Sequence, residues 1–144
     1  MPPSCPKAEE IAKQFVQHYY MTFDADRKSL ANLYRDNSML TFQDTQVLGA
    51  SRIAEKLVEE KRVGQLLMGV LNLKNLPFEK IRHHTSNFNA QPGPTGNSLF
   101  ILVSGVLAVD DESNPLSFTQ AFQLCQDSAG QWFVFNDIFQ LVVA

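Results

Sequence analysis

The sequence contains few of the residue types that build catalytic and metal-binding centres. Its 144 residues include 2 cysteines and 3 histidines. No Gly-rich phosphate loop and no Cys-x-x-Cys, Gly-x-Ser-x-Gly or His-Glu-x-x-His pattern occurs in the chain, which argues against phosphate-loop nucleotide hydrolysis, thiol redox chemistry, serine hydrolysis and zinc proteolysis. His83 and His84 are adjacent, and neighbours on a strand face opposite ways. We therefore expect neither a metal site nor a bound cofactor.

Long apolar runs and basic clusters are also missing. The stretches at 63–73 and 99–109 are about half as long as a membrane span and contain polar residues. The net charge is −3 and the basic residues are scattered, so we expect no nucleic-acid partner and no membrane insertion. The N-terminus lacks the apolar stretch of a secretory signal. We therefore expect an intracellular protein in which Cys5 and Cys125 are free thiols.

The overall composition fits one globular domain spanning residues 1–144, with a loose N-terminus at 1–5. Apolar residues make up 44% of the chain and charged residues 19%, which is close to average. The aromatic residues include 11 Phe, and Phe buries a large area without needing a hydrogen-bond partner. Such a content suits either a dense core or an apolar pocket that stays open.

Helical periodicity dominates the start of the chain. Residues 6–23 predict an amphipathic helix. Its apolar stripe consists of Ile11, Phe15, Val16, Tyr19, Tyr20 and Phe23. A second, shorter helix is expected after Asp24 or Asp26, either of which can cap it, and a turn at 36–38 ends it.

Short strands follow, and they fill the second half of the chain. A third helix begins after Gly49, at Ile53 and Leu57. The predicted strands are 39–43, 46–48, 78–90, 99–110, 116–126 and 131–141. Polar turn clusters at 91–97, 110–115 and 127–130 separate the last four strands, which is typical of an antiparallel meander. Helices first and strands afterwards indicate an α+β fold, with the helices packed on one face of the sheet.

Two polar features allow more than one interpretation. His83 shares a strand face with Ile81, so it is a hydrogen-bonded core histidine, a polar group at the rim of an apolar cavity, or a catalytic base. The acidic turn Asp110-Asp111-Glu112 is either a solvated hairpin tip or a rim that pairs with basic residues of a partner. Adjacent carboxylates repel each other, and a cationic partner would relieve that repulsion.

The final strand is apolar on both faces. Alternation places Phe133, Phe135, Asp137 and Phe139 on one face and Val134 and Ile138 on the other. Asp137 needs a hydrogen-bond partner on such a face. Because one chain of this size covers only one face with its helices, we expect the other face to pack against a second subunit.

Several segments together resemble the nuclear transport factor 2 family, in order from Ala8 to Val142 and interrupted only in the middle. They are Phe15-Val-Gln-His-Tyr-Tyr20, Phe23-Asp-Ala-Asp-Arg27, Leu33-Tyr34, Leu40-Thr-Phe42, Leu76-Pro-Phe-Glu-Lys-Ile81 with His83, Gly105-Val-Leu107 leading to Asp110, and Asn136-Asp-Ile-Phe139 with Leu141. The resemblance implies an α+β cone, in which a strongly bent antiparallel sheet and three N-terminal helices enclose an apolar cavity.

The resemblance also implies partners and the residues that contact them. The GTPase Ran, in its GDP-bound state, would insert a phenylalanine into the cavity, and a homodimer would form through Leu102 and Ile138. The implied cavity residues are Phe42, Leu76, Ile81, Leu107, Val109 and Phe139. The implied rim residues that face Ran are Gln43, Asp44, His83, Asp110 and Glu112. No catalytic residue, cofactor or metal is implied.

Three departures from the family pattern affect these expectations. Gln43 stands where the family has an acid, with Asp44 one position later. Ala8 stands where the family has an aromatic residue that helps to bind Phe-Gly repeats of nucleoporins. Relative to the family pattern, residues 59–74 are an insertion before the strand that the family places near Leu76. This insertion extends the third helix, forms a mobile loop or reflects an unspliced segment of the gene.

The resulting functional hypothesis is a non-enzymatic transport factor. It would bind Ran-GDP and Phe-Gly nucleoporins and carry Ran into the nucleus, moving between cytoplasm and nucleus with enrichment at nuclear pores. Two alternatives stay open, because a fold does not settle a function. One is a small-molecule isomerase or dehydratase of the same fold using His83 or Asp137. The other is an interaction module that no longer binds Ran.

Overall fold

The computed structural model describes residues 5–25, 27–43, 45–58, 81–109 and 116–142. The helices in these ranges are α1 (Cys5–Ala25), a 3₁₀ helix (Arg27–Leu33) and α2 (Ala50–Val58). The strands are β1 (Tyr34–Phe42), β2 (Thr45–Leu48), β3 (Ile81–Pro92), β4 (Ser98–Val109), β5 (Leu116–Gln126) and β6 (Trp132–Val142). None of the described helices has the length and apolar character needed to cross a bilayer.

The strands form a 6-stranded sheet in the order β2-β1-β6-β5-β4-β3. The strands from β3 to β6 are an antiparallel meander, as the turn clusters predicted. One pairing departs from the antiparallel sheet that the resemblance implied, because β6 also pairs with β1 in parallel, with Phe42 opposite Phe139. The chain reverses direction at each turn of the meander. Its last strand, β6, therefore runs in the same direction as β1 and pairs with the edge of β1 that β2 leaves open.

The core lies on the inner face of the sheet, which we define as the face covered by α1. Tyr19 and Tyr20 of α1 both contact the ring of Phe122 on β5. The stripe predicted for α1 is confirmed, since Val16, Tyr19, Tyr20 and Phe23 are buried and the other two members are half-buried. On β4 the odd-numbered residues from Leu99 to Leu107 are buried, and Phe100 and Leu102 point to the exposed outer face.

The helices differ in one respect from the sequence prediction. The first and third are α-helices, and Ile53 and Leu57 of the third are buried as expected. The segment after Ala25 instead forms a 3₁₀ helix of 7 residues. Segments with this i→i+3 pattern often occur beside the ends of α-helices and as connectors, and this one lies between α1 and β1. The described part of the chain therefore has two α-helices rather than three.

The predicted turn at 36–38 is a distortion within β1 instead. The pairing of β1 with β6 slips between Tyr34 and Met39. Ser38 is fully buried there, and its hydroxyl accepts a hydrogen bond from the Arg35 N–H at 2.8 Å and donates one to the Val134 carbonyl. The polar residues that suggested a turn thus lie in an irregular stretch of β1, in which the buried Ser38 hydroxyl is paired.

A bulge in β6 overturns the predicted alternation of the final strand. In the pairing with β5, Leu124 is opposite Val134 and Gln123 is opposite Asn136, so Phe135 is an extra residue. The extra residue reverses the phase of the alternation. Val134 therefore lies in the core with Asp137 and Phe139, whereas Phe133 does not share their face. Ile138 is on the outer face, as expected.

Candidate functional site

Three phenylalanines form an aromatic wall at one end of the inner face. The rings of Phe42 on β1 and Phe139 on β6 stack with centroids 4.7 Å apart and an interplanar angle of 10°. The ring of Phe118 on β5 lies 5.5 Å from that of Phe139, at 18°. All three side chains are buried. This set of Phe42, Phe118 and Phe139 is called the aromatic wall below.

The six predicted cavity residues fall partly within the described chain. Phe42 and Phe139 belong to the aromatic wall, and Leu107 is buried on β4. The backbones of Ile81 and Val109 pair with each other at one end of the β3–β4 ladder, but their side chains lie outside the described part, as does all of Leu76. Sequence reasoning missed Phe118, which the alternation of Phe118 and Phe122 along β5 could have indicated.

Gly105 allows the backbone of β3 to approach β4 closely beside the aromatic wall. A Cβ atom at this position would come within 2.4 Å of the His84 carbonyl oxygen, 3.0 Å of the Thr85 Cα and 3.0 Å of the Phe118 ring. The pairing of β3 with β4 is irregular between Thr85 and Asn87, so the β3 backbone approaches β4 here. Glycine is the residue that fits such an approach.

The predicted rim residues are also described only in part. Asp44, Asp110 and Glu112 lie outside the described residues. The backbone of His83 pairs with that of Leu107, and its side chain is likewise outside. Gln43 adopts a left-handed backbone conformation with φ of 56°. Its N–H donates to the Phe139 carbonyl at 3.0 Å, and its side-chain oxygen accepts from the Leu141 N–H at 2.7 Å.

A buried polar cluster lies in the core beside Phe139. It is centred on Asp137, which accepts hydrogen bonds from the hydroxyls of Tyr34 at 2.7 Å and Tyr19 at 3.3 Å, and from the Gln120 amide at 2.7 Å. Tyr20 donates to Gln120 at 2.6 Å. The cluster includes all 3 tyrosines of the sequence. Asp137 was expected to need one partner, and three side chains bond to it directly, with Tyr20 joined to the cluster through Gln120.

Burial governs the protonation of this cluster. Desolvation raises the pKa of Asp137 from 3.8 to about 6, and the hydrogen bonds from Gln120, Tyr34 and Tyr19 partly oppose that rise. Burial also raises the pKa of each tyrosine hydroxyl well above its usual value, with the charge of Asp137 adding to the effect. Among the described residues, no buried side-chain nitrogen or oxygen lacks a hydrogen-bond partner. The cluster therefore acts as a closed structural network.

The outer face of the sheet carries two neighbouring rows of residues without charge. One row runs Met39, Asn136, Gln123, Phe100 and Gln91 across five strands, and the next runs Thr41, Ile138, Ala121, Leu102 and Asn89. Phe100 is 51% exposed, Leu102 49% and Ile138 46%. Large side chains are seldom gathered like this on a face that stays in water.

A groove of about 230 Å³ lies where α1 begins, against the β3–β4 turn. Ala8, Ile11, Leu99 and Trp132 supply its apolar lining, and Lys7 and Gln126 are among its polar residues. The small side chain of Ala8 faces the sheet and is buried.

The described residues also bear on the cysteine and metal expectations. Cys125 is a free thiol, and the Cys5 side chain lies outside the described part of the chain. Between residues 5 and 142, in the ranges that are described, no group of three or more His, Cys, Asp and Glu side chains could hold a metal ion.

Comparison with known proteins identifies the family of this chain. The sequence model of the nuclear transport factor 2 (NTF2) domain matches residues 11–65 and 70–141. Nuclear transport factor 2 of Neurospora crassa is 56% identical over 133 residues, covering 92% of this chain and 94% of the relative. The Saccharomyces cerevisiae protein of that name is 40% identical over 131 residues, covering 91% of each chain.

Solved structures agree with the sequence comparison. Nuclear transport factor 2 of Cryptosporidium parvum superposes with a TM-score of 0.78 at 33% identity, covering 99% of this chain and 100% of that one. A chain of the yeast Ubp3–Bre5 deubiquitinase complex superposes with a TM-score of 0.71 at 18% identity, covering 94% of this chain and 97% of that one, and shares the fold alone. The α+β cone expected from the sequence is confirmed, and the chain belongs to the nuclear transport factor 2 domain family.

Proposed function

We propose that this chain is a nuclear transport factor that binds Ran-GDP and Phe-Gly nucleoporins and carries Ran into the nucleus. The names of its relatives support a role in nuclear transport, and they support a carrier rather than an isomerase or dehydratase. The protein would move between cytoplasm and nucleus and concentrate at nuclear pores. A carrier must release its cargo, so both contacts should be weak and reverse quickly.

The aromatic wall is the observation that carries the Ran assignment. Its stacked rings are buried and form one rigid apolar unit. A phenylalanine of the partner packed against this unit in a desolvated pocket would be a binding hot spot. Leu107 extends the apolar face on β4. We assign Leu76, Ile81 and Val109 to the same cavity, and Gln43, Asp44, His83, Asp110 and Glu112 to its rim, where the carboxylates would pair with basic residues of Ran.

We further propose that the outer face joins two copies of the chain. Two molecules that each carry a net charge of −3 repel one another, so a symmetric interface favours a face without charge. The rows through Phe100 and Ile138 supply such a face, with Leu102 and Ile138 separated only by Ala121. A second copy would remove these exposed side chains from water.

The groove beside Ala8 is our candidate for the Phe-Gly repeat site. Its volume of about 230 Å³ exceeds the ~150 Å³ of an apolar cavity known to hold benzene. A phenylalanine ring inserted there would contact Ile11, Leu99 and Trp132. In this arrangement the ring of the repeat would fill space that an aromatic residue at position 8 would otherwise occupy.

Binding measurements with purified partners test the proposal. Isothermal calorimetry should detect binding to Ran-GDP but not to Ran loaded with a GTP analogue, and separately to a Phe-Gly repeat peptide. No binding to Ran-GDP would overturn the Ran assignment. Binding to the peptide alone would favour the interaction module that has lost Ran.

A substitution in the aromatic wall sharpens the test. Phe42→Leu keeps an apolar side chain but removes one ring of the stack, so the Kd for Ran-GDP should rise at least about 5-fold. Peptide binding should not change, because the groove lies elsewhere on the molecule. Met21→Ala, at an exposed position of α1, is the control and should leave both affinities unchanged. Equal Ran-GDP affinities of Phe42→Leu and the parent would exclude the wall from the site.

A further inference from the structure

We propose that Gln43 is a positioning residue for the aromatic wall: its main chain and its side chain both bond to β6, and together they hold Phe42 against Phe139 in advance of binding. The inference rests on the proposed function only in naming Ran-GDP as the partner whose aromatic side chain uses the wall. The position of Gln43 itself follows from its backbone and its hydrogen bonds.

The backbone of Gln43 is unusual for its residue type. Among the described residues it is the one non-glycine with a positive φ, at 56°. Residues other than glycine rarely adopt this left-handed backbone conformation, and it persists where the surrounding contacts hold it. Gln43 directly follows the last residue of β1, Phe42, so whatever holds Gln43 also fixes the end of that strand.

The hydrogen bonds of Gln43 show how the conformation is held. Its N–H donates to the Phe139 carbonyl at 3.0 Å, as the next step of the parallel β1–β6 ladder requires. A regular ladder would continue with the Leu141 N–H donating to the main-chain carbonyl of Gln43. The side-chain oxygen of Gln43 accepts that N–H instead, at 2.7 Å. The side chain therefore extends the ladder past the point where the main chain turns away.

This extension acts on the aromatic wall. The main-chain bond and the side-chain bond of Gln43 attach to β6 at Phe139 and Leu141, on either side of Gln140. Phe42 precedes Gln43 directly, and its ring stacks on that of Phe139 at 4.7 Å. Without the side-chain bond, the end of β1 would be tied to this part of β6 by main-chain pairing alone, and the wall would lose part of its preorganisation.

Matched variants separate the hydrogen bond from the charge and bulk of the side chain. Gln43→Glu keeps an acceptor oxygen at the same reach, whereas Gln43→Met keeps the unbranched length and lacks a strong acceptor. Gln43→Gly is a second test variant, because glycine adopts positive φ readily and has no side chain that could replace the bond. It keeps the test open if the methionine variant folds poorly.

The first measurement is amide hydrogen exchange of the full chain by NMR. We expect the Leu141 amide to exchange about 3- to 10-fold faster in Gln43→Met and Gln43→Gly than in the parent. Gln43→Glu should retain the protection of the parent. Unchanged exchange at Leu141 in both the methionine and the glycine variant would overturn the tether.

The second measurement is the Kd for Ran-GDP, which a purely structural bond would not alter. We expect a rise of about 3- to 10-fold in Gln43→Met and in Gln43→Gly. Gln43→Glu keeps the bond and adds a carboxylate to the rim, so its Kd should be no higher than that of the parent. Faster exchange at Leu141 with an unchanged Kd would overturn the positioning role. A parent protein that does not bind Ran-GDP would overturn the proposed function and the partner named here, while exchange at Leu141 would still decide whether the tether exists.

Discussion

At the scale of single residues, Asp137 places an ionisable carboxyl group in the core, so stability should depend on pH through it. Burial raises its pKa from 3.8 to about 6, and the folded state therefore binds a proton at a higher pH than the unfolded state. The free energy of unfolding should increase as the pH falls through 6 towards 4, the opposite of the usual effect of a paired surface carboxylate. Between pH 7.5 and 4.5 the gain from this group should be about 2 kcal/mol.

Asp137→Asn isolates this contribution. An asparagine retains an oxygen that accepts from Gln120, and its amide can donate to the hydroxyls of Tyr19 and Tyr34. Urea denaturation of parent and variant at both pH values gives the difference in their stabilities at each pH. We expect that difference to move by about 2 kcal/mol in favour of the parent on acidification. Parallel pH profiles of the two proteins would contradict the raised pKa.

The sequence predicted only part of this cluster. An aspartate on an apolar strand face had to have a partner, and that much followed from the alternation around Asp137. The identity of the partners depended on how α1, β1 and β5 pack against β6, at separations of up to 118 residues from Tyr19. Local periodicity carries no information on such long-range packing.

At the scale of secondary-structure elements, the junction of β3 and β4 depends on Gly105. A methyl group there would meet the His84 carbonyl oxygen at 2.4 Å, and a backbone atom cannot rotate away as a side chain can. We expect Gly105→Ala to lower the free energy of unfolding by about 1–3 kcal/mol, because β3 and the Phe118 ring must both shift. Denaturant unfolding measures the loss.

Gly96→Ala is the matched control for that substitution. Gly96 lies between β3 and β4, and nothing is within 4 Å of the added methyl group. Its stability should be unchanged or higher by up to about 1 kcal/mol, since alanine restricts the unfolded chain. Equal losses in the two variants would show that a lost glycine, rather than the contact with β3, causes the effect.

The elements also show where sequence periodicity fails. The bounds of β4, β5 and β6 were predicted to within one residue, because these strands are rich in apolar residues and bounded by polar turns. The irregularity of β1 near Ser38 and the bulge at Phe135 were not predicted, since extra residues in one strand do not change its composition. Because of the bulge at Phe135, the residues before it face the opposite way from the prediction. Val134 is in the core rather than on the outer face.

At the scale of the whole molecule, several short segments in the order of the family predicted the fold better than any single motif did. Segments such as Leu40-Thr-Phe42 and Asn136-Asp-Ile-Phe139 are weak individually, yet in the fold they are adjacent, with Phe42 opposite Phe139. The resemblance placed both phenylalanines in one cavity, but the parallel β1–β6 pairing was predicted neither by it nor by composition and alternation. The aromatic wall follows directly from that pairing.

The proposed assembly of two copies is tested directly by a single substitution. Ile138 is 46% exposed within an uncharged row, next to Ala121, which separates it from Leu102. Ile138→Glu would place a carboxylate in the proposed interface of each copy, where it would be desolvated and unpaired. The dissociation constant of the dimer should rise at least about 100-fold. Sedimentation velocity over a range of concentrations measures this change.

Met21→Glu is the control for the charge itself. Met21 is 67% exposed on α1, the helix that covers the opposite face of the sheet, so its variant should sediment as the parent does. The Ile138→Glu monomer should keep its fold, because position 138 faces outward and the core around Phe139 and Asp137 is not altered. A variant that still sediments as a dimer would place Ile138 outside the interface, and the two uncharged rows would then need another partner.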